Sequence, residues 1–177
     1  TKGKFDVTRL YGVDEKRRQV FFQSAEESPL ERQVYTVGLD GKGKRKLTPK
    51  KGWNSAQFSS TFDFYTLTHS TANIAPEYTV FDLKGNPLRV IEDNAGMKAL
   101  QEKYGWSPVS FFDFKTSEGV KLNGYMIKPA NFDDKKEYPV LMFVYGGPGS
   151  QTVEDQWDPF NRWWFQMLAQ QGYIIVS

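Results

Sequence analysis

Two stretches of the chain repeat each other at a fixed spacing. Val20-Phe21-Phe22-Gln23-Ser24 aligns with Phe64-Tyr65-Thr66-Leu67-Thr68, 44 residues further on. Gln33-Val34-Tyr35-Thr36-Val37 aligns with Glu77-Tyr78-Thr79-Val80 through Tyr35 and Tyr78, 43 residues apart. A turn follows each, Leu39-Asp40-Gly41-Lys42 and Leu83-Lys84-Gly85-Asn86. In such hairpin turns glycine supplies positive φ without steric cost. A strand-rich repeat of this length suits one four-stranded antiparallel blade of a β-propeller. Blades bury their faces only against neighbours, so two should not stand alone. Only about two repeats fit before residue 92, which predicts a chain cut from something longer. The alternative is an ordinary antiparallel sheet whose repeat is accidental.

Composition is compatible with this. The 177 residues are 39% hydrophobic, 16% aromatic and 25% charged, which is globular rather than disordered. The 14 Phe, 9 Tyr and 5 Trp favour strands. A net charge of +2 gives no global field for nucleic acid or anionic lipid. With no cysteine there is neither disulfide nor thiolate metal site. No apolar run approaches the roughly 18 residues of a membrane helix, and the polar opening Thr1-Lys2-Gly3-Lys4-Phe5-Asp6 is no signal peptide.

After the repeat the period changes. Asp93 or Asn94 can cap a short helix in which Met97, Leu100 and Tyr104 share a face, and Gly105 and Pro108 end it. Val109–Phe114 and Val120–Lys128 read as strands around a Thr116–Gly119 turn. Val140–Tyr145 is a continuous apolar run, as in a strand buried on both faces of an α/β sheet. Asp158-Pro159 then predicts a helix start, with Phe160, Trp164, Met167 and Leu168 on the core face, Gly172 past its end, and Tyr173–Ser177 as a further buried strand. Strand, helix, strand makes a right-handed crossover. The predicted organisation is therefore partial propeller blades over 1–92, a linker with a short helix over 93–108, and the opening of an α/β domain over 109–177.

Chemistry concentrates at one place. Tyr145-Gly146-Gly147-Pro148-Gly149-Ser150-Gln151 follows the apolar strand at its C-terminal end, the edge where open α/β sheets bind ligands. In α/β-hydrolases this loop carries an oxyanion-hole donor, while the nucleophile sits later on a Gly-x-Ser-x-Gly elbow. Together with Tyr138-Pro139, Gly172-Tyr173-Ile174-Ile175-Val176, the Arg89-Val90-Ile91-Glu92-Asp93-Asn94 exit and Leu122-Asn123-Gly124-Tyr125-Met126-Ile127-Lys128-Pro129, this motif resembles the dipeptidyl peptidase IV family of prolyl oligopeptidase-type serine peptidases. The resemblance covers essentially the whole chain.

What the resemblance implies is specific. The fold would be mixed: the last blades of an antiparallel β-propeller, then the first part of an α/β-hydrolase domain. Tyr145 would donate its phenol O–H to the tetrahedral oxyanion, and Gly146, Gly147, Pro148, Gly149, Ser150 and Gln151 would form the substrate-cleft loop. The complete protein would release N-terminal dipeptides with a penultimate proline or alanine. Related members remove tripeptides or acylated residues, and the Gly-Pro-Gly-Ser-Gln run favours the dipeptidyl type. No cofactor or metal is implied. The partner would be a peptide substrate, with neither nucleic acid nor a membrane span in this segment. Dimers are common in the family, and its members point to a periplasmic or extracellular location. The family's serine, aspartate and histidine would follow Ser177, so the 177 residues alone should be inactive. A non-catalytic, propeller-containing interaction module stays open as the alternative, because the deciding residues lie outside this sequence.

Other signals read as structural. His69, the single histidine, lies in the propeller half, before any candidate nucleophile, and reads as a strand or turn residue. One histidine and no cysteine argue against a zinc site. The Lys42–Lys51 cluster reads as a solvated hairpin edge rather than a polyanion site, and the glycine loop lacks the P-loop pattern. Of the tryptophans, Trp164 is expected in the core, whereas Trp157 sits in a loop where it can line a cleft.

Overall fold

The repeat folds into two four-stranded antiparallel sheets, each a simple meander. The computed structural model describes residues 2–147 and 149–177. In the first sheet β1 (Val7–Asp14), β2 (Gln19–Ser24), β3 (Gln33–Gly38) and β4 (Arg45–Lys46) lie in that order. In the second, β5 (Trp53–Phe58), β6 (Phe64–Ser70), β7 (Glu77–Asp82) and β8 (Pro87–Glu92) do the same. The repeated segments are thus the second and third strands of each sheet. The repeated turns close alike. Gly38 N–H donates to Lys42 O at 2.9 Å and Gly41 N–H to Gly38 O at 2.8 Å, while Asp82 N–H donates to Asn86 O at 3.1 Å and Gly85 N–H to Asp82 O at 3.0 Å. Gly41 and Gly85 take φ of 79° and 93°, the left-handed conformation this turn needs.

Two compact units make up the chain. The first runs to Ala95 and includes Glu154–Gln156; the second comprises Gly96–Val153 and Trp157–Ser177. The core of the first is built from Phe21, Val34 and Leu47 on one side and Ala56, Tyr65, Leu67 and Phe81 on the other. Phe21 and Tyr65, equivalent in the repeat, are 0% and 1% exposed. Rings join them: Phe21 to Phe58 at 4.7 Å, Phe58 to Tyr65 at 5.4 Å, Tyr65 to Phe81 at 5.5 Å. Each such buried side chain contributes about 1.5–3 kcal/mol by leaving water. The Tyr65 hydroxyl stays satisfied by donating to Leu47 O at 2.9 Å. Burial pushes that phenol up to about 12.

A buried polar seam crosses between the same two sheets. Asn54 is fully buried. Its Nδ2 donates to Arg32 O at 3.1 Å and to Gln33 Oε1, Lys50 O and Gly52 O at 3.2 Å. Its Oδ1 faces His69 Nδ1 at 3.1 Å. Gln23 Nε2 donates to Asn54 O at 2.6 Å, and Thr48 Oγ1 donates to Gln33 Oε1. In a dry interior such groups must find one another, which fixes how the sheets match.

The lysine cluster lies at the sheet edge. Lys46 pairs with Glu27 at 2.8 Å, Lys50 with Glu77 at 2.5 Å, and Lys44 with Glu26.

The second unit holds a mixed sheet. α1 (Ala95–Lys103) leads to β9 (Val109–Lys115) and β10 (Lys121–Ile127), an antiparallel hairpin with the same turn chemistry at Thr116–Val120. β11 (Val140–Met142), α2 (Arg162–Gln170) and β12 (Ile174–Val176) complete it, in the order β11-β12-β10-β9. β11 and β12 are parallel, with Val140 opposite Ile174 and Met142 opposite Val176. The helix thus makes the crossover that a parallel pair requires. Both helices end alike. Trp106 N–H reaches Gln101 O at 2.9 Å around Gly105, and Tyr173 N–H reaches Leu168 O at 3.0 Å around Gly172. These are Schellman ends, with glycine φ of 58° and 91°.

None of α1 is buried, and Leu100 and Tyr104 are exposed. Two sequence expectations are corrected at the second helix. α2 starts at Arg162, not Pro159, because Asp158 Oδ1 accepts the N–H groups of Phe160 at 2.8 Å and Asn161 at 3.0 Å and so caps a turn ahead of the helix. Its buried face is Arg162, Phe165, Gln166 and Ala169, while Phe160, Trp164 and Met167 are exposed. Two polar groups with partners displaced the apolar set. Gln166 Oε1 accepts Ser107 N–H at 2.8 Å and Gln166 Nε2 donates to Ser107 O at 2.7 Å. Arg162 lays its guanidinium 5.8 Å from the centre of the Trp157 ring.

Candidate functional site

β11 is shorter than the apolar run predicts. It lies at the edge of the described sheet, and the alternate residues Val140, Met142 and Val144 are exposed. Phe143 still extends the ladder, donating its N–H to Val176 O at 2.8 Å. The chain then leaves the sheet at Val144, and Tyr145 emerges beside the C-terminal end of the parallel neighbour β12. Here strand carbonyls run out of partners, and α/β sheets present their reactive groups.

Tyr145 is 61% exposed, with its ring turned over Gly147. Gly149 takes φ of 79°, which allows the loop to turn back. Gln151 Nε2 donates to Val153 O at 2.8 Å, and Thr152 Oγ1 lies 3.4 Å from Ser177 Oγ. The loop therefore starts at the end of β11 and returns to the end of β12. Gly146 and Ser150 are exposed on it. Pro148, also expected in the cleft loop, lies outside the described residues. Chemically, the arrangement presents a phenol O–H donor above a glycine-lined backbone, and among the described residues nothing lies within 4 Å of where a Gly146 side chain would begin.

Against this geometry stand the known proteins. Residues 1–76 match the family described as the dipeptidyl peptidase IV N-terminal region. A probable dipeptidyl-aminopeptidase B from Sclerotinia sclerotiorum is 34% identical over 184 residues, covering 100% of this chain and 19% of its own length. Dipeptidyl peptidase 4 from Trichophyton rubrum is 34% identical over 165 residues, covering 91% of this chain and 21% of its own. The crystal structure of Porphyromonas gingivalis dipeptidyl peptidase 4 superposes with a TM-score of 0.88 at 41% identity, over 99% of this chain and 24% of that one. This chain belongs to the dipeptidyl peptidase IV family. It spans about a fifth of the length of the curated relatives it matches. The fold is the mixed one that the resemblance implies, propeller-type antiparallel blades followed by the opening strands of the hydrolase domain.

The remaining sequence signals fall away from the loop. His69 sits in β6, buried, bonded to Asn54, and burial holds its imidazole below the ordinary value of 6.5. The tryptophan expectations are reversed. Trp157 is buried and stacks on Trp106 at 5.7 Å, whereas Trp164 is exposed. Among the described residues no group of three or more His, Cys, Asp or Glu could hold a metal ion, and no helix is long and apolar enough to cross a membrane.

Sequence reasoning passed over Glu154 and Asp155. Asp155 accepts Ala72 N–H at 2.8 Å and donates its own N–H to Leu30 O at 2.8 Å. Burial raises both carboxyls above their usual range, with Arg32 offsetting part of the effect at Glu154. Their only sequence signal is position, a few residues past the glycine loop.

Proposed function

We propose that the complete protein is a serine-type dipeptidyl peptidase that removes N-terminal dipeptides with a penultimate proline or alanine. The single observation that carries this is Tyr145, an exposed phenol at the carboxyl end of a parallel strand, followed by Gly-Gly-Pro-Gly-Ser-Gln in a chain of this family. A neutral phenol is a hydrogen-bond donor. Placed where the scissile carbonyl becomes tetrahedral, it stabilises charge that exists only in the transition state. In this reading a serine beyond Ser177 attacks the carbonyl, a histidine takes its proton, and Tyr145 with a backbone N–H holds the oxyanion. The first unit contributes the last blades of a propeller that restricts access to short peptides, and residues 109–177 open the catalytic domain. The 177 residues alone are inactive in this account. The whole enzyme acts outside the cytoplasm, periplasmic or secreted, as a homodimer.

The test is made on the complete protein. Tyr145→Phe should lower kcat on a prolyl dipeptide anilide by about 10²–10³, the usual effect of losing one oxyanion donor, with KM and melting temperature unchanged. An unaltered kcat would remove Tyr145 from the mechanism. A wild-type protein that binds peptides but hydrolyses none would favour the non-catalytic interaction module.

A further inference from the structure

The three described glycines of the loop differ in what a side chain there would meet. A Cβ on Gly146 would meet nothing within 4 Å. Gly149 needs its residue type for backbone, at φ of 79°. Gly147 differs from both: its φ lies outside the left-handed region, so φ does not call for glycine there. What excludes a side chain there is Tyr145. A Cβ on Gly147 would lie 2.6 Å from Cε1 of the Tyr145 ring, 3.0 Å from Cζ and 3.0 Å from the hydroxyl oxygen.

We propose that Gly147 is a positioning residue for Tyr145, its missing side chain being the seat on which the phenol rests with its hydroxyl aimed for the reaction. This rests on the reading of Tyr145 as the oxyanion donor. The physical argument is one of least resistance. The first atom of any side chain at 147 would overlap Cε1 of the ring at a distance that real Cβ atoms do not show and crowd Cζ and the hydroxyl. One of the two must move. The loop is anchored by Thr152 beside Ser177, while the exposed Tyr145 ring can relieve the overlap by moving to another rotamer. The ring therefore gives way. An alanine at 147 would leave the loop folded and displace the hydroxyl by an ångström or more. Misplacement on the order of 1 Å costs about 10²-fold in rate.

The experiment is a double-mutant cycle in the complete protein, with kcat and KM on a glycyl-prolyl anilide and the melting temperature measured for each variant. Gly147→Ala should lower kcat by roughly ten- to a hundredfold, with KM and melting temperature unmoved. In the Tyr145→Phe background, where there is no hydroxyl left to misplace, Gly147→Ala should cost nothing further. Three results overturn the proposal while leaving the oxyanion role intact: Tyr145→Phe is impaired but Gly147→Ala is not, the two losses multiply in the double variant, or Gly147→Ala lowers only the melting temperature. If Tyr145→Phe itself keeps full kcat, the oxyanion reading fails and the positioning role falls with it.

Discussion

Replacing Asn54 with alanine tests the polar seam that matches the two propeller-type sheets. Asn54 is fully buried and holds five groups through one carboxamide. Not all would be stranded. Arg32 O keeps the Asn54 backbone N–H at 2.9 Å, Gly52 O keeps Arg32 N–H at 3.2 Å, and Gln33 Oε1 keeps Thr48. Lys50 lies near solvent and can turn to water. His69 Nδ1 has the most to lose, because it is buried against the Asn54 oxygen. One stranded buried donor costs about 1–3 kcal/mol, and the space left by the carboxamide adds roughly 1 kcal/mol. The expected loss is about 3 kcal/mol, or on the order of a hundredfold in an opening equilibrium. Hydrogen exchange followed by mass spectrometry in the complete protein reads this locally, without requiring that the whole molecule unfold in one step. Amides of β5 and β6 should exchange on the order of a hundredfold faster in Asn54→Ala, while β9 and β10 stay as they are. Exchange in β5 and β6 within about threefold of wild type would refute the reasoning, since the seam would then contribute nothing beyond packing.

His69 should make the same region sensitive to acid. Burial, with Lys50 adding to it and Glu77 opposing, holds its imidazole below 6.5, so below that pH the unfolded chain binds the proton more readily than the folded one. Stability is therefore full above pH 6.5 and falls as the pH drops beneath it; exchange protection of β5 and β6 should decline there in wild type and decline less in His69→Gln. In the second unit, Gln166→Ala removes both bonds to the Ser107 backbone, stranding a buried N–H and C=O at about 1–3 kcal/mol each. The Ser107 amide should then lose protection, and an unchanged exchange rate at that amide would show the pair to be dispensable.

How much of this was legible in the sequence follows from what each pattern measures. A repeat reports sheets, because turn glycines and alternating strands are local demands; hence β2, β3, β6 and β7 fall where the spacing predicts. The family motif brought out the Tyr145 loop, and the apolar run before it marked a strand. Its length and burial were overread, since an apolar string cannot tell a central strand from an edge one. Helical periodicity failed at α2 for a related reason. Phe160, Trp164 and Met167 carry the greater hydrophobicity, yet Arg162 and Gln166 are buried because their polar ends find the Trp157 ring and the Ser107 backbone. The Asn54 seam left no trace at all. Satisfying a buried amide depends on partners from three separate stretches of chain, 32–33, 50–52 and His69, and no local pattern records that.

The inclusion of Glu154–Gln156 in the first unit has a consequence for biosynthesis. Its strands have all been synthesised by the time Ala95 is made, yet Leu30 O and Ala72 N–H still lack the partners that Asp155 supplies. Those two groups must wait for roughly sixty more residues, and then for the closure of a loop of that length, before they are satisfied. During that interval the blades are assembled but unsealed, and a nascent chain stalled before Asp155 would hold them in that state.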